Sequence, residues 1–238
     1  MTDEPDRPIA PLERRGRVDP EAVAQLLRAE QVRMVYDHLP VSQLVMVLNA
    51  LVFAAVQSLV IDEHVLIGWF SAVCVVALAR IVNWVAFLRV ELVPAQIARW
   101  RAYIVAGAAV SGLVWGAAAF LLFPPMNAAH QVFVAFMLGG MVAGSLTTLV
   151  PVFPSFVLFA GLTLAPVAVR FSLEQDAVHY AMSWMVLVFL VSVIMIARRA
   201  QNGVENLLML RVENAALVGE LLVARDQLKR SRAGAIGS

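Results

Sequence analysis

The chain has 238 residues, of which 61% are hydrophobic and 15% are charged, and its formal net charge is +1. This composition lies outside the range of soluble domains and indicates an integral membrane protein. The charge balance gives no reason to expect a nucleic-acid partner, and the single cysteine, Cys74, excludes a disulfide framework.

The first residues of the chain are polar. Residues 1–18 are rich in proline, arginine and acidic residues and lack periodic apolar positions, which predicts a disordered tail without a cleavable signal peptide. Residues 19–21 (Asp-Pro-Glu) have the pattern of a helix start. We therefore predict a cytoplasmic juxtamembrane helix over residues 19–39, ended by Pro40, which packs on the membrane or on the C-terminal helix, or is only loosely held.

Six apolar runs follow, each of about 20 residues and so long enough to cross the hydrocarbon core as a helix. They predict an all-α integral membrane protein with a six-transmembrane helix bundle over residues 40–198. The runs cover residues 41–61, 65–88, 102–123, 131–150, 155–171 and 178–197.

Arginines on alternate sides of these runs predict their orientation. They cluster before the first run, between the second and third runs, and after the sixth, whereas the opposite connections are mainly acidic. By the positive-inside rule, the arginine-rich connections are cytoplasmic. We expect both termini in the cytoplasm and outer loops too short to fold into a sensor domain.

Several polar or aromatic side chains within the runs are candidates for a ligand or sensing site. Polar groups are costly when they face lipid, so they are expected to face the bundle or a cavity. Alternatives exist: Arg80 could anchor its helix by reaching the lipid phosphates, Trp115 could be a core residue, and Arg170 could pair with Glu174 one turn on. The candidates are Asn49, Arg80, Asn83, Trp115 and Arg170.

Glycines spaced four residues apart occur in the third and fourth runs. This spacing lets helix backbones approach closely, and it predicts that these two runs pack against each other. The pairs are Gly112 with Gly116 and Gly140 with Gly144.

Three histidines, His64, His130 and His179, lie at the predicted outer ends of the runs. With neighbouring acids they could form a site for a metal ion or a proton, although no close histidine spacing supports a metal. The runs contain no catalytic pair, zinc-protease motif, nucleophile elbow or phosphate-binding loop. We therefore predict no catalytic machinery in this chain and no cofactor.

Residues 199–232 follow the last run directly and carry a heptad repeat. Its one polar position, Asn214, is of the kind that fixes the register of two-stranded parallel coiled coils. The pattern predicts a cytoplasmic parallel coiled coil and hence a homodimer; a helix lying on the membrane or on its own bundle is the alternative. Residues 233–238 are interpreted as a flexible end at a truncation point. The seam comprises Leu207, Leu210, Asn214, Leu217, Leu221, Ala224 and Leu228.

Five segments of the sequence resemble a known family. They are GLVWG at 112–116, GGMVAGSLTTLVPVFPSF at 139–156, LAPVAVRF at 164–171, HYAM at 179–182 and LRVENAALV at 210–218. Together they resemble the six-transmembrane N-terminal sensor region of bacterial hybrid sensor histidine kinases, a region that also occurs ahead of diguanylate cyclase domains. The resemblance covers residues 33–228, and the LRVEN segment is its most telling part.

The resemblance implies two-component signal transduction at the bacterial inner membrane. The chain would be the signal-input module of a histidine kinase, or less often a cyclase, whose output domain is absent here, because no histidine follows His179. Because the outer loops are too short for a sensor domain, we expect the stimulus to enter through the membrane, as a lipophilic small molecule, the state of the bilayer or an ion at the outer mouth, with membrane lipid as a partner. A small homodimeric transporter or channel is the alternative, although the sequence shows no inverted repeat.

Overall fold

The computed structural model of the protein describes residues 20–90 and 93–236, and these residues form helices joined by short connections. A 3₁₀ turn, Val150–Val152, joins the fourth helix to the fifth. The helices are α1 (Pro20–Gln57), α2 (Glu63–Leu88), α3 (Pro94–Leu121), α4 (Ala128–Leu149), α5 (Phe153–Ser172) and α6 (Ala177–Ile236).

Five helical stretches in this described part are long and apolar enough to cross a membrane. The fourth is 45 residues long because it contains both α4 and α5. The fold is therefore all-helical and has the apolar helices of a multi-pass membrane protein, as the composition predicted. The stretches are Val23–Gln57, Glu63–Leu88, Pro94–Leu121, Ala128–Ser172 and Ala177–Leu210.

Helices α4 and α5 run in opposite directions. Phe171, at the end of α5, packs on the ring of His179 at a centroid distance of 5.8 Å. His179 Nε2 in turn lies 2.8 Å from Gln131 Oε1 at the start of α4. The start of α4 and the end of α5 thus share one end of the bundle, and the chain reverses at Val150–Val152 at the other end.

The closest helix contact joins α3 to α5. A Cβ atom added to Gly112 would lie 3.0 Å from the Phe159 carbonyl oxygen, and one added to Gly116 would overlap the Leu162 carbonyl. The glycine spacing therefore has the predicted physical role, but with a different partner helix, because α5 folds back over α3.

The second glycine pair has another environment. A Cβ atom added to Gly140 or Gly144 would meet no heavy atom within 4 Å. The predicted packing of α3 on α4 through both pairs is therefore not what the structure shows. Instead, the pair on α4 borders open space.

Pro40 does not end α1, contrary to the prediction. The helix continues from Pro20 to Gln57 with Pro40 inside it. Proline costs one backbone hydrogen bond and a steric clash with the preceding turn. Burial of Tyr36 and Leu39 before the proline, and of Met46 after it, holds both halves in the bundle. The predicted juxtamembrane helix and the first apolar run are thus one helix.

The first turns of α1 lie against α6. Gln31 Nε2 donates a hydrogen bond of 3.3 Å to Glu205 Oε1, and Arg101 Nη1 of α3 donates one of 3.4 Å to Gln31 Oε1. Of the three predicted arrangements for this segment, packing on the C-terminal helix is the one that the structure contains.

We predict that Gly116→Ala destabilises the protein by about 1–3 kcal/mol, because the new methyl group overpacks a rigid backbone. Thermal unfolding of the purified protein in detergent, followed by tryptophan fluorescence, measures the effect.

Gly140→Ala is the matched control. It adds the same methyl group to a helix interior, but into open space, and should raise the free energy of unfolding by up to about 1 kcal/mol. Equal effects of the two substitutions would contradict the assignment of α3–α5 as the close contact.

Candidate functional site

A groove of about 430 Å³ opens between α1 and α4, close to the 3₁₀ turn. On α1 it is bordered by residues from His38 to Asn49, and on α4 by residues from Gly140 to Leu149. Arg80 of α2 and Phe159 of α5 complete the lining. This volume lies within the range of small-molecule sites, which is about 300–1,000 Å³.

Arg80 is the cationic side chain of this groove. Its Nη1 donates a hydrogen bond of 3.3 Å to Ser111 Oγ, whose own hydroxyl donates to the Gly107 carbonyl oxygen at 2.8 Å. No carboxylate of a described residue lies within 4.0 Å of the guanidinium. A guanidinium carries five N–H donors, so most of the hydrogen-bonding capacity of Arg80 is left for a ligand.

The lining of the groove also contains hydrogen-bond acceptors, one of them buried. Gln43 is 3% exposed, and its Oε1 atom has no hydrogen-bond partner among the described residues. The hydroxyl groups of Ser145 and Thr148 donate to carbonyl oxygens of their own helix, Val142 at 2.7 Å and Ser145 at 3.2 Å. Because those hydroxyls are already used as donors, their oxygen atoms remain available as acceptors.

The structure brings two of the five predicted candidates together at this groove. Asn49 borders it, with its amide nitrogen 3.2 Å from the sulfur of Met141, and Arg80 borders it from α2. Sequence reasoning missed Gln43. The signal was available, since Gln43, Met46 and Asn49 recur every three residues along α1 and so share one helix face.

Asn83 has a structural partner instead. Its Oδ1 atom accepts a hydrogen bond of 2.6 Å from the hydroxyl of Tyr36, whose ring stacks on Phe87 at 4.0 Å. This contact ties α1 to α2 and uses the polar end of Asn83.

Trp115 lies in the core of the bundle. It is 0% exposed and packs against Trp69 at 5.2 Å and Phe53 at 6.3 Å between ring centroids. Its indole N–H has no hydrogen-bond partner among the described residues, whereas that of Trp69 donates to the Val114 carbonyl oxygen at 2.8 Å. The core alternative for Trp115 therefore matches the structure.

Arg170 is engaged by two neighbours. It forms an ion pair of 2.6 Å with Glu174, and its guanidinium lies 4.1 Å from the centroid of the Phe123 ring. The pairing alternative is thus the one that the structure contains.

Two hydrogen-bonded chains close the opposite end of the bundle. In the first, His130 Nδ1 lies 2.7 Å from Gln57 Oε1, and Gln57 Nε2 donates to the Leu122 carbonyl oxygen at 2.6 Å. This chain links α4, α1 and the end of α3 through a buried glutamine.

The second chain holds the start of α6. His179 Nδ1 contacts the Asp176 carboxylate, and His179 Nε2 lies 2.8 Å from Gln131 Oε1. Gln131 Nε2 donates to the Pro124 carbonyl oxygen at 2.9 Å, which turns its oxygen toward the histidine. Both contacts of the ring are therefore with side-chain oxygen atoms, one on each ring nitrogen.

The three outer histidines do not form a shared metal site. Within the described ranges, no three His, Cys, Asp or Glu residues lie close enough together to hold a metal ion. His130 and His179 are engaged by two different glutamines. The backbone N–H of His64 donates to the capping carboxylate of Asp62 at 2.8 Å.

Helix α6 continues for 60 residues without a break. Its side near Leu208 faces the bundle, since Leu208 is 8% exposed and Glu205 binds Gln31. Leu207 and Leu210, on the opposite side, are 64% and 54% exposed. Asn214 is also exposed, and the side chains of Leu217, Leu221, Ala224 and Leu228 lie outside the described residues.

Comparison of the chain with protein-family models, curated proteins and solved structures gave no match.

We predict that Asp176→Asn lowers the melting temperature at neutral pH. The pKa of the Asp176 carboxyl is held below its usual range by the backbone N–H of His179 and next by the His179 ring, so ionised Asp176 favours the folded state. This stabilisation is present above the ordinary Asp pKa of about 4 and is lost as the pH falls through the lower folded value. The difference in melting temperature between wild type and variant, measured over a series of pH values, should therefore become smaller as the pH is lowered.

Asp62→Asn is the control. Asp62 caps α2 through a backbone N–H in the same way, but no histidine ring contacts its carboxylate in the described structure. It should cost less stability at neutral pH. A wild-type advantage over Asp176→Asn that grows at low pH would contradict the role given to the carboxylate.

Proposed function

We propose that the chain is the membrane signal-input module of a bacterial sensor histidine kinase. It detects an intramembrane or lipophilic stimulus and passes it through a dimeric coiled coil to an output domain. One observation supports this most directly: α6 runs without interruption from the bundle into a helix whose leucine face is exposed.

The exposed face fits a second copy of the helix. Leu207 and Leu210 lie on the side of α6 turned away from α1, and Asn214 follows on the same side. Leucines at this spacing gain stability only when a partner helix covers them. A homodimer with parallel α6 helices is therefore the proposed assembly.

The topology of the proposal has six crossings. The reversal at Val150–Val152 divides the 45-residue apolar stretch into α4, with 22 residues, and α5, with 20 residues. Each is long enough to cross a bilayer, which takes about 20 residues. In this proposal the protein lies in the bacterial inner membrane. With the arginine-rich connections on the cytoplasmic side, both ends of the chain are cytoplasmic.

Signal transfer would proceed by a shift of α6. Its start is held by the His179 chain, and its exit from the bundle is held by Gln31 of α1. A change in packing of the bundle would displace α6 between these points and alter the stagger of the coiled coil. Two discrete packings of the seam would then act as the switch.

The proposed parallel dimer predicts a disulfide cross-linking pattern in native membranes. With Cys74 replaced, single cysteines along 204–228 should cross-link most at Leu207, Leu210, Leu217 and Leu221, because seam positions of two parallel helices face each other. Non-reducing electrophoresis measures the dimer fraction.

Cysteines at Glu205 and Leu208 are the controls, since Glu205 binds Gln31 of α1 and Leu208 is buried against the bundle. The variants with cysteine at these positions should show little cross-linked dimer. A flat profile, with seam and control positions alike, would remove the dimer and favour the transporter or channel alternative, for which substrate flux in proteoliposomes is the next measurement.

A second prediction concerns the continuity of α6. A flexible glycine-serine insertion after Gln201 should abolish the control of a fused kinase domain by the bundle, because the shift would no longer reach the seam. Inserting one helical heptad at the same place keeps the phase of the seam and should preserve that control. Autophosphorylation in native membranes measures the result, and unchanged output after the flexible insertion would contradict the signalling function.

A further inference from the structure

The groove between α1 and α4 has the chemistry of a site for one class of membrane lipid. It offers a cation, Arg80, that has no carboxylate partner among the described side chains. The same lining holds an unpartnered amide oxygen, that of Gln43. A ligand that satisfies both groups must combine negative charge with hydrogen-bond donors.

We propose that this groove binds an anionic phospholipid with a hydroxylated head group, of which phosphatidylglycerol is the simplest example. The phosphate would accept hydrogen bonds from Arg80, and the head-group hydroxyls would donate to Gln43 and to the oxygen atoms of Ser145 and Thr148. Arginine binds phosphate with more than one N–H at a time, which favours it over a simple point charge.

The lining argues against the other abundant head-group chemistries. A zwitterionic ethanolamine lipid also offers a phosphate and N–H donors, but its ammonium group adds a positive charge near Arg80, and no acidic residue of the described chain borders the groove to offset it. A fatty acid would supply the negative charge for Arg80 but, once ionised, no donor for the Gln43 oxygen. The combination of phosphate and hydroxyls satisfies both.

The position of Arg80 suits a phosphate. It lies about two turns before Leu88 at the end of α2. Its side chain runs along α3 past Gly107 to Ser111, so a phosphate bound to it would enter the groove between the helices. In the proposed complex, the phosphate would lie beside Arg80 and the acyl chains would leave the groove between α1 and α4.

The glycines of α4 make room for the acyl chain. Gly140 and Gly144 both border the groove, and neither would bring an added Cβ within 4 Å of another group. Across from them, Val41 and Val45 of α1 are 66% and 48% exposed. The α4 side of the groove therefore has no bulky side chains, and the α1 side is apolar. An acyl chain that enters between the two helices requires both.

The inference rests on the proposed function only in taking this groove as the place where a lipophilic stimulus acts. Lipid binding is measured on the purified protein without any output domain. If the lipid does not bind, the cross-linking and linker experiments still test the proposed function. If those experiments contradict the proposed function, the lipid-binding result still stands.

Native mass spectrometry of the full chain in a non-ionic detergent tests the proposal. Dioleoyl phosphatidylglycerol, dioleoyl phosphatidylethanolamine and oleate are titrated separately. We expect saturable binding of about one phosphatidylglycerol per chain, at least about tenfold tighter than the ethanolamine lipid.

Arg80→Gln should weaken phosphatidylglycerol binding about tenfold, because it removes charge-assisted hydrogen bonds. Arg80→Lys should retain part of the affinity, since it keeps the charge but loses the fork of N–H groups. Arg89→Gln is the matched control: it makes the same change at the exposed C-terminal cap of the same helix and should leave binding unchanged.

A second pair of variants tests the groove itself and does not depend on the stability of an Arg80 variant. Gly140→Leu fills the groove and should reduce phosphatidylglycerol binding about tenfold. Gly68→Leu, at an equally open position on α2, should not.

Equal affinity for the glycerol and ethanolamine lipids would overturn the proposal. So would tighter binding of oleate, or equal binding by Arg80→Gln and Arg89→Gln. Equal binding by the two leucine variants would show that lipid binds outside the groove, and would overturn it as well.

Discussion

The close approach of α3 and α5 at Gly112 and Gly116 determines much of the arrangement of the bundle. Backbones that pass at this distance leave no space for a side chain, so α5 must fold back directly over α3. That path carries Phe159 to the groove at one end and Phe171 to His179 at the other. The reversal at Val150–Val152 and the start of α6 follow from it.

The two ends of the bundle differ in how far their polar side chains are satisfied by hydrogen bonds. At one end, Gln57, Gln131 and the two histidines satisfy one another through hydrogen-bonded chains that join four helices. At the other, Arg80 and Gln43 keep unused hydrogen-bonding capacity beside an open groove. Polar groups in an apolar surrounding are costly when unsatisfied. The first end therefore serves to hold helices together, and the second is where a ligand would gain most.

Helical periodicity and apolar run length are local properties, and they were enough to predict the all-helical fold and most helix positions. The choice of packing partner is not local. Four-residue glycine spacing predicted a close contact but could not distinguish α4 from α5, and Pro40 predicted a helix end because burial on both sides of it was not visible. The sequence was enough to name Arg80 as a candidate ligand-binding residue. The groove beside Gln43 could not be predicted, because it depends on the distance between α1 and α4.

Helix α1 connects the groove to the exit of α6. Its middle turns carry Gln43 and Asn49 at the groove, and its first turns carry Gln31, which binds Glu205. Pro40 lies between these two sets of contacts and removes one hydrogen bond from the helix there. Coupling between two sites requires an element with two arrangements that both sites bias. In the proposed signalling function α1 would be that element: occupation of the groove would fix the middle of α1, and the angle at Pro40 would set where Gln31 meets α6.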